Sequence, residues 1–81
     1  MVLDKIAKAG QEVYDAKLKE LLEPESNRRF VAIEPSTGSY FIGASILEAL
    51  EKGELSFPNA DFHVVRIGFP AAVSFRHKVV V

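Results

Sequence analysis

The sequence predicts one α+β domain of order α-β-β-α-β-β, with a mostly antiparallel sheet and two helices packed on one face. Three observations lead there. Residues 4–23 repeat apolar side chains at helical spacing, residues 29–43 hold two β-prone runs around a turn, and residues 45–48 form a helix-opening box. A chain of 81 residues with an apolar fraction of 48% makes a single domain, residues 1–81, with little core to spare.

On a wheel of about 100° per residue, Leu3, Ile6, Val13, Tyr14, Leu18, Leu21 and Leu22 share one side of the first helix. Lys5, Lys8, Glu12, Asp15 and Lys19 share the other. Asp4 is placed to cap its start. Pro24 stops it at Glu23, because the residue before a proline is steered out of the α region. Gly10 lies on the apolar side, where it either admits a close neighbour or divides the helix.

Arg29–Glu34 and Tyr40-Phe41-Ile42 are β-branched and aromatic, and Pro35-Ser36-Thr37-Gly38-Ser39 between them is dense in turn formers, which predicts a hairpin. In Ser45-Ile46-Leu47-Glu48 the serine accepts from the Glu48 amide and Glu48 reaches back, so a helix begins there with Ile46, Leu47, Ala49 and Leu50 as its apolar face. Gly53 suits the position after its end, leaving about two turns that depend on the sheet. Strands follow at Phe62–Ile67 and Ala71–Arg76, separated by Gly68-Phe69-Pro70. The first is apolar on both faces, as a central strand is. The second alternates Ala71, Val73 and Phe75 with Ala72, Ser74 and Arg76.

The chain has no cysteine and no tryptophan, so neither disulfides nor cysteine-bound zinc supplements the core, and pairing with a second copy or another protein is a further source of stability. The first ten residues hold no apolar run of signal-peptide length, and nowhere do roughly eighteen apolar residues run together. The expectation is therefore a cytoplasmic protein without a membrane. The net charge of −1 argues against a dedicated nucleic-acid binder. Its distribution is uneven, for residues 62–81 carry Arg66, Arg76 and Lys78 and no acid.

No catalytic, metal or cofactor constellation emerges. Asp61, His63 and His77 supply at most part of a ligand set. Ser36, Thr37, Ser39 and Ser45 are explained by turns and a helix cap, without a base and an orienter beside them. Gly38 and Gly43 are too sparse for a phosphate loop, and Glu23 and Glu25 read as a solvated helix exit. Arg28-Arg29, Arg66, Arg76 and Lys78, with Tyr40 or Phe69 nearby, form a basic-aromatic patch if their strands pair, yet the aromatic signature of RNA-binding sheets is missing. The remaining candidates are interaction residues: Arg66, Phe69 and Pro70 around the last turn, and Arg76, Lys78, Val79, Val80 and Val81 at the end. Three terminal valines make a β-prone edge that invites a second protomer or a protein partner.

Tyr14, Leu22-Glu23-Pro24-Glu25, Arg29-Phe30-Val31-Ala32-Ile33, Thr37-Gly38-Ser39-Tyr40-Phe41-Ile42-Gly43, Val65-Arg66-Ile67-Gly68 and Pro70-Ala71-Ala72 together resemble a family of small uncharacterised prokaryotic proteins. The resemblance covers most of residues 11–76, and the family has no settled activity to carry over. Arg28 stands where that family often has glycine, and Ala44 where it often has aspartate. The β-β-α-β core with Glu48-Ala49-Leu50 is similar, more loosely, to HicB-like antitoxins, which implies a partner protein and possible nucleic-acid contact. The sequence thus points to a non-enzymatic interaction or self-association module, with an antitoxin-like regulator as the alternative.

Overall fold

The computed structural model describes residues 3–69 and 71–75. The first helix is continuous but not uniform: α1 (Leu3–Val13) passes through a π-helical stretch (Tyr14–Leu18) into α2 (Lys19–Leu22). Then come β1 (Phe30–Glu34), β2 (Ser39–Gly43), α3 (Ile46–Ser56), β3 (Phe62–Arg66) and β4 (Ala72–Phe75). The sheet order is β2-β1-β3-β4, and each neighbouring pair is antiparallel. The α+β class and the element order agree with the sequence.

The placement of the helices does not. Val31, Ile33, Val65 and Ile67 pack with Tyr14, Leu18 and Leu22, whereas Ala32, Phe62 and Val64 pack with Ala49 of α3. Successive strand residues point to opposite faces, so the two helices cover opposite faces and the domain has three layers, not two. The physical reason is visible in β1 and β3: Val31 through Ile33 and Phe62 through Val65 are all buried, and a strand buried on both sides needs a cover on both.

The π-helical stretch has a similar origin. The buried positions of the first helix are Ile6, Gly10, Tyr14, Leu18 and Leu22. A four-residue step overshoots the 3.6-residue α turn by about 40°, so such a stripe winds off the sheet along a pure α-helix. The wider π turn takes back part of that rotation. Leu21, beyond the π turn and assigned to the buried side by an ideal wheel, is exposed for the same reason, and Leu3, at the helix start, is exposed as well.

Two glycines allow the close approaches. A Cβ on Gly10 would lie 2.3 Å from the His63 Cβ, so the first helix touches β3 directly there, and the helix is not divided. A Cβ on Gly53 would lie 2.6 Å from the Phe62 ring. Gly53 is therefore inside α3, which runs 11 residues to Ser56. The expected ending at Gly53 is overturned because packing against Phe62 outweighs its weak helix propensity. The capping box forms with one change of partner: Ser45 Oγ accepts from Glu48 N at 3.1 Å, and Glu48 Oε1 accepts from Ala44 N at 3.3 Å rather than from Ser45.

Each helix covers only part of the sheet. The first helix lies chiefly over β3 and β4, and α3 over β2 and β1. The offset leaves one strip uncovered on each face. On the α3 side it falls on β4, where Val73 stands beside buried Val64 and is 48% exposed. On the first-helix side it falls on β2, where Tyr40 stands opposite buried Ile33 and is 39% exposed.

Candidate functional site

Beneath the first helix two polar connections cross the packed layer. Tyr14, nearly buried, donates from its hydroxyl to Glu23 Oε2 at 2.5 Å and accepts from Gly68 N at 3.3 Å. Burial first, and then the bond to Glu23, push this phenol up to about 12, against the opposing bond from Gly68.

The second connection runs through His63, which is 4% exposed. Gln11 Nε2 donates to Asp15 Oδ1 at 3.1 Å. A carboxylate only accepts, so this bond turns the Gln11 oxygen towards His63 Nε2, 3.1 Å away. That nitrogen must then carry the proton, leaving Nδ1 to accept from Ser74 Oγ at 2.7 Å. Burial lowers the His63 pKa and keeps the ring neutral. Both ring nitrogens are thus committed, which removes His63 from the Asp61–His63–His77 ligand set considered above. His77 lies outside the described residues.

A serine beside a neutral histidine invites a catalytic reading. Clefts of about 330 and 230 Å³ open next to this network, between Gln11 and Phe69. Neither is lined by Ser74 or His63. The chain of bonds serves to tie α1, β3 and β4 together. At the hairpin end a larger cleft of about 500 Å³ lies between residues 34–37 and 56–61. Its buried acid is Glu34, which accepts from Ser36 N (2.8 Å), Ser36 Oγ (2.6 Å) and Thr37 N (3.1 Å). Burial alone would raise the Glu34 pKa, but these bonds outweigh it and lower it, so the carboxylate is spent on closing the turn.

The interaction candidates fall on the end of the sheet where β3 turns into β4. Arg66 is exposed, and its guanidinium lies 4.4 Å from the centre of the Phe69 ring and 5.9 Å from that of Phe30. Phe69 is 41% exposed. Backbone bonds from Arg28 N to Ile67 O (2.9 Å) and from Ile67 N to Arg29 O (2.8 Å) bring two more arginines to the same end. Arg28 holds φ +77°, a left-handed conformation that costs an L-residue about 1 kcal/mol. None of Arg28, Arg29 and Arg66 forms an ion pair with another described residue.

The expected basic grouping of Arg66 with Arg76 and Lys78 involves two residues outside the described ones. Phe75, the last described residue of β4, pairs with Phe62, at the opposite end of β3 from Arg66. Pro70, Arg76, Lys78, Val79, Val80 and Val81 lie outside the described residues.

The β4 edge itself is described. Arg66 N donates to Ala71 O at 2.9 Å. Hydrogen-bonded and non-hydrogen-bonded pairs alternate along an antiparallel ladder, so Val64/Val73 and Phe62/Phe75 are the next bonded pairs. Ala72 and Ser74 therefore turn their own N–H and C=O groups outward, and among the described residues no strand meets them. The sequence named Arg66 and Phe69 as interaction candidates but neither this edge nor the half-exposed Val73, because the first depends on strand order and the second on how far α3 reaches.

Among the described residues no helix is long and apolar enough to cross a membrane. The chain matches no protein-family model, no curated protein and no solved structure.

Proposed function

We propose that this chain is a non-enzymatic protein–protein interaction module that receives a partner, another protein or a second copy, along the outer edge of β4. The observation that carries the reading is the bare edge itself. Among the described residues no strand pairs with the outward backbone groups of Ala72 and Ser74, which flank Val73, left half-exposed by α3. An added strand satisfies the first and covers the second. The Arg66–Phe69 stack stands at the end of that edge, where its planar cation and ring give a pre-ordered contact with little side-chain entropy left to lose. The same proposal places the protein in the cytoplasm, a setting with which a cysteine-free sequence is compatible.

Ala72→Pro tests it. Proline removes one outward N–H and no bond to β3, and its φ is tolerated on an edge strand. Sedimentation equilibrium and affinity capture with wild type and Ala72→Pro should show a complex or a dimer for the first and neither for the second, at unchanged circular dichroism. Identical behaviour of the two proteins would sink the edge reading.

A further inference from the structure

Resting on the edge-strand reading above, we infer that the partner segment is acidic: an extended stretch carrying a Glu or Asp and an apolar side chain two residues apart. On the α3 side of the sheet Val73 pairs with Val64, and Ala71, its neighbour on the same face, stands beside Arg66. A strand laid along β4 presents every second side chain to that face. The residue opposite Val73 meets an apolar, half-covered surface. The residue two positions on lies opposite Ala71, whose small side chain leaves the way open to the Arg66 guanidinium.

Charge points the same way. Arg28, Arg29 and Arg66 share this end of the sheet without an ion-pair partner among the described residues, on a chain whose net charge is −1. The positive field is therefore local, at one end of one edge. A polynucleotide has no use for the outward N–H and C=O groups of Ala72 and Ser74. A peptide uses both. The Arg66 side chain, held between Phe30 and Phe69, is pre-ordered for a carboxylate and gives it two parallel donors.

Fluorescence anisotropy with labelled peptides of about ten residues, long enough to span a strand, tests the inference. One probe carries Glu and Val two apart in a threonine-rich background, a second replaces Glu by Gln, and a third is a short oligouridylate. The Glu peptide should bind about tenfold more tightly than the Gln peptide at low salt, with the gap narrowing as sodium chloride rises past about 0.1 M, where the Debye length has fallen to about 10 Å. Arg66→Ala should erase the gap and leave the Gln peptide unaffected. Ala72→Pro should abolish binding of both peptides, and Val73→Glu should do the same without touching the backbone. Equal binding of the Glu and Gln peptides overturns the acidic assignment while the edge reading stands. Peptide binding that survives Ala72→Pro and Val73→Glu sinks the edge reading itself. Binding of oligouridylate in place of the peptides, or of no probe, overturns the inference.

Discussion

Beneath the first helix the sheet presents aliphatic side chains crossed by polar connections. Beneath α3 it presents aromatic rings, Phe41 standing edge-on to Phe57 at 6.0 Å and to Phe62 at 6.4 Å. The helices differ correspondingly. The first follows a four-residue stripe, bends its geometry through a π turn and is pinned by Tyr14–Glu23 and Gln11–His63–Ser74. The second is a regular α-helix with a serine cap, fitted to the rings by one glycine. Aliphatic layers slide past one another at little cost in area, so directional bonds set the register on the first face. Interlocking rings set it on the second by shape.

The largest effect should separate the two glycines. Gly10→Ala puts a methyl 2.3 Å from the His63 Cβ, an atom tied to the β3 backbone, and should cost about 3 kcal/mol in urea unfolding. Gly53→Ala meets the edge of the Phe62 ring and regains up to about 1 kcal/mol of helix propensity, so a net cost of about 1 kcal/mol is expected. Equal costs would mean that the faces are equally rigid at these contacts.

Next comes Tyr14→Phe, expected to cost about 2 kcal/mol, the scale of a hydrogen bond to a charged group. It also changes the alkaline limb. The Tyr14 phenol titrates at about 12 in the folded protein against 10.0 for the free group. Its contribution is complete below pH 10 and lost as pH rises towards 12, because the unfolded chain sheds the proton first. The substitution should remove that share of the alkaline loss in urea midpoints measured across the window.

On the acid side the histidine and the hairpin acid separate. His63 is neutral when folded and titrates below 6.5, so stability present above that value should fall as pH drops through the lower folded pKa. His63→Asn should flatten this limb. Glu34 acts in a lower window, since its stabilisation is present above 4.5 and lost as pH falls through its depressed folded pKa. A midpoint that stays constant from pH 7 to 5 in wild type would refute the histidine's part.

The smallest effect belongs to the α3 cap. Ser45→Ala should cost about 1 kcal/mol and lower Tm by roughly 4–8 °C, with no change in either pH limb, since the cap is remote from Tyr14 and His63.

Much of this was legible from local pattern. The hairpin, the serine cap with Glu48 three residues on, and the strands at Phe62–Arg66 and Ala72–Phe75 each follow from side chains adjacent in sequence. Arg66 and Phe69, three apart around the last turn, could be named as interaction candidates on the same basis. The wheel misplaced Leu21 because it assumes a uniform α turn, and Gly53 misled because propensity says nothing of a ring arriving from β3. The polar links joining Gln11 to His63 and Tyr14 to Gly68 span 52 and 54 positions, far beyond any local window.

What the sequence determined by itself, then, is the inventory of elements and their order, because periodicity, turn chemistry and capping are properties of neighbours along the chain. It also held an unread clue to the layering in the unbroken apolar character of β1 and β3. Which face each helix takes, how far each reaches across the sheet, and which strands stand at its edges were decided only in three dimensions. They depend on the close approaches at Gly10 and Gly53, on the offset of the helices that leaves Val73 half-exposed, and on the strand order that puts β4 at an edge met by no other strand among the described residues.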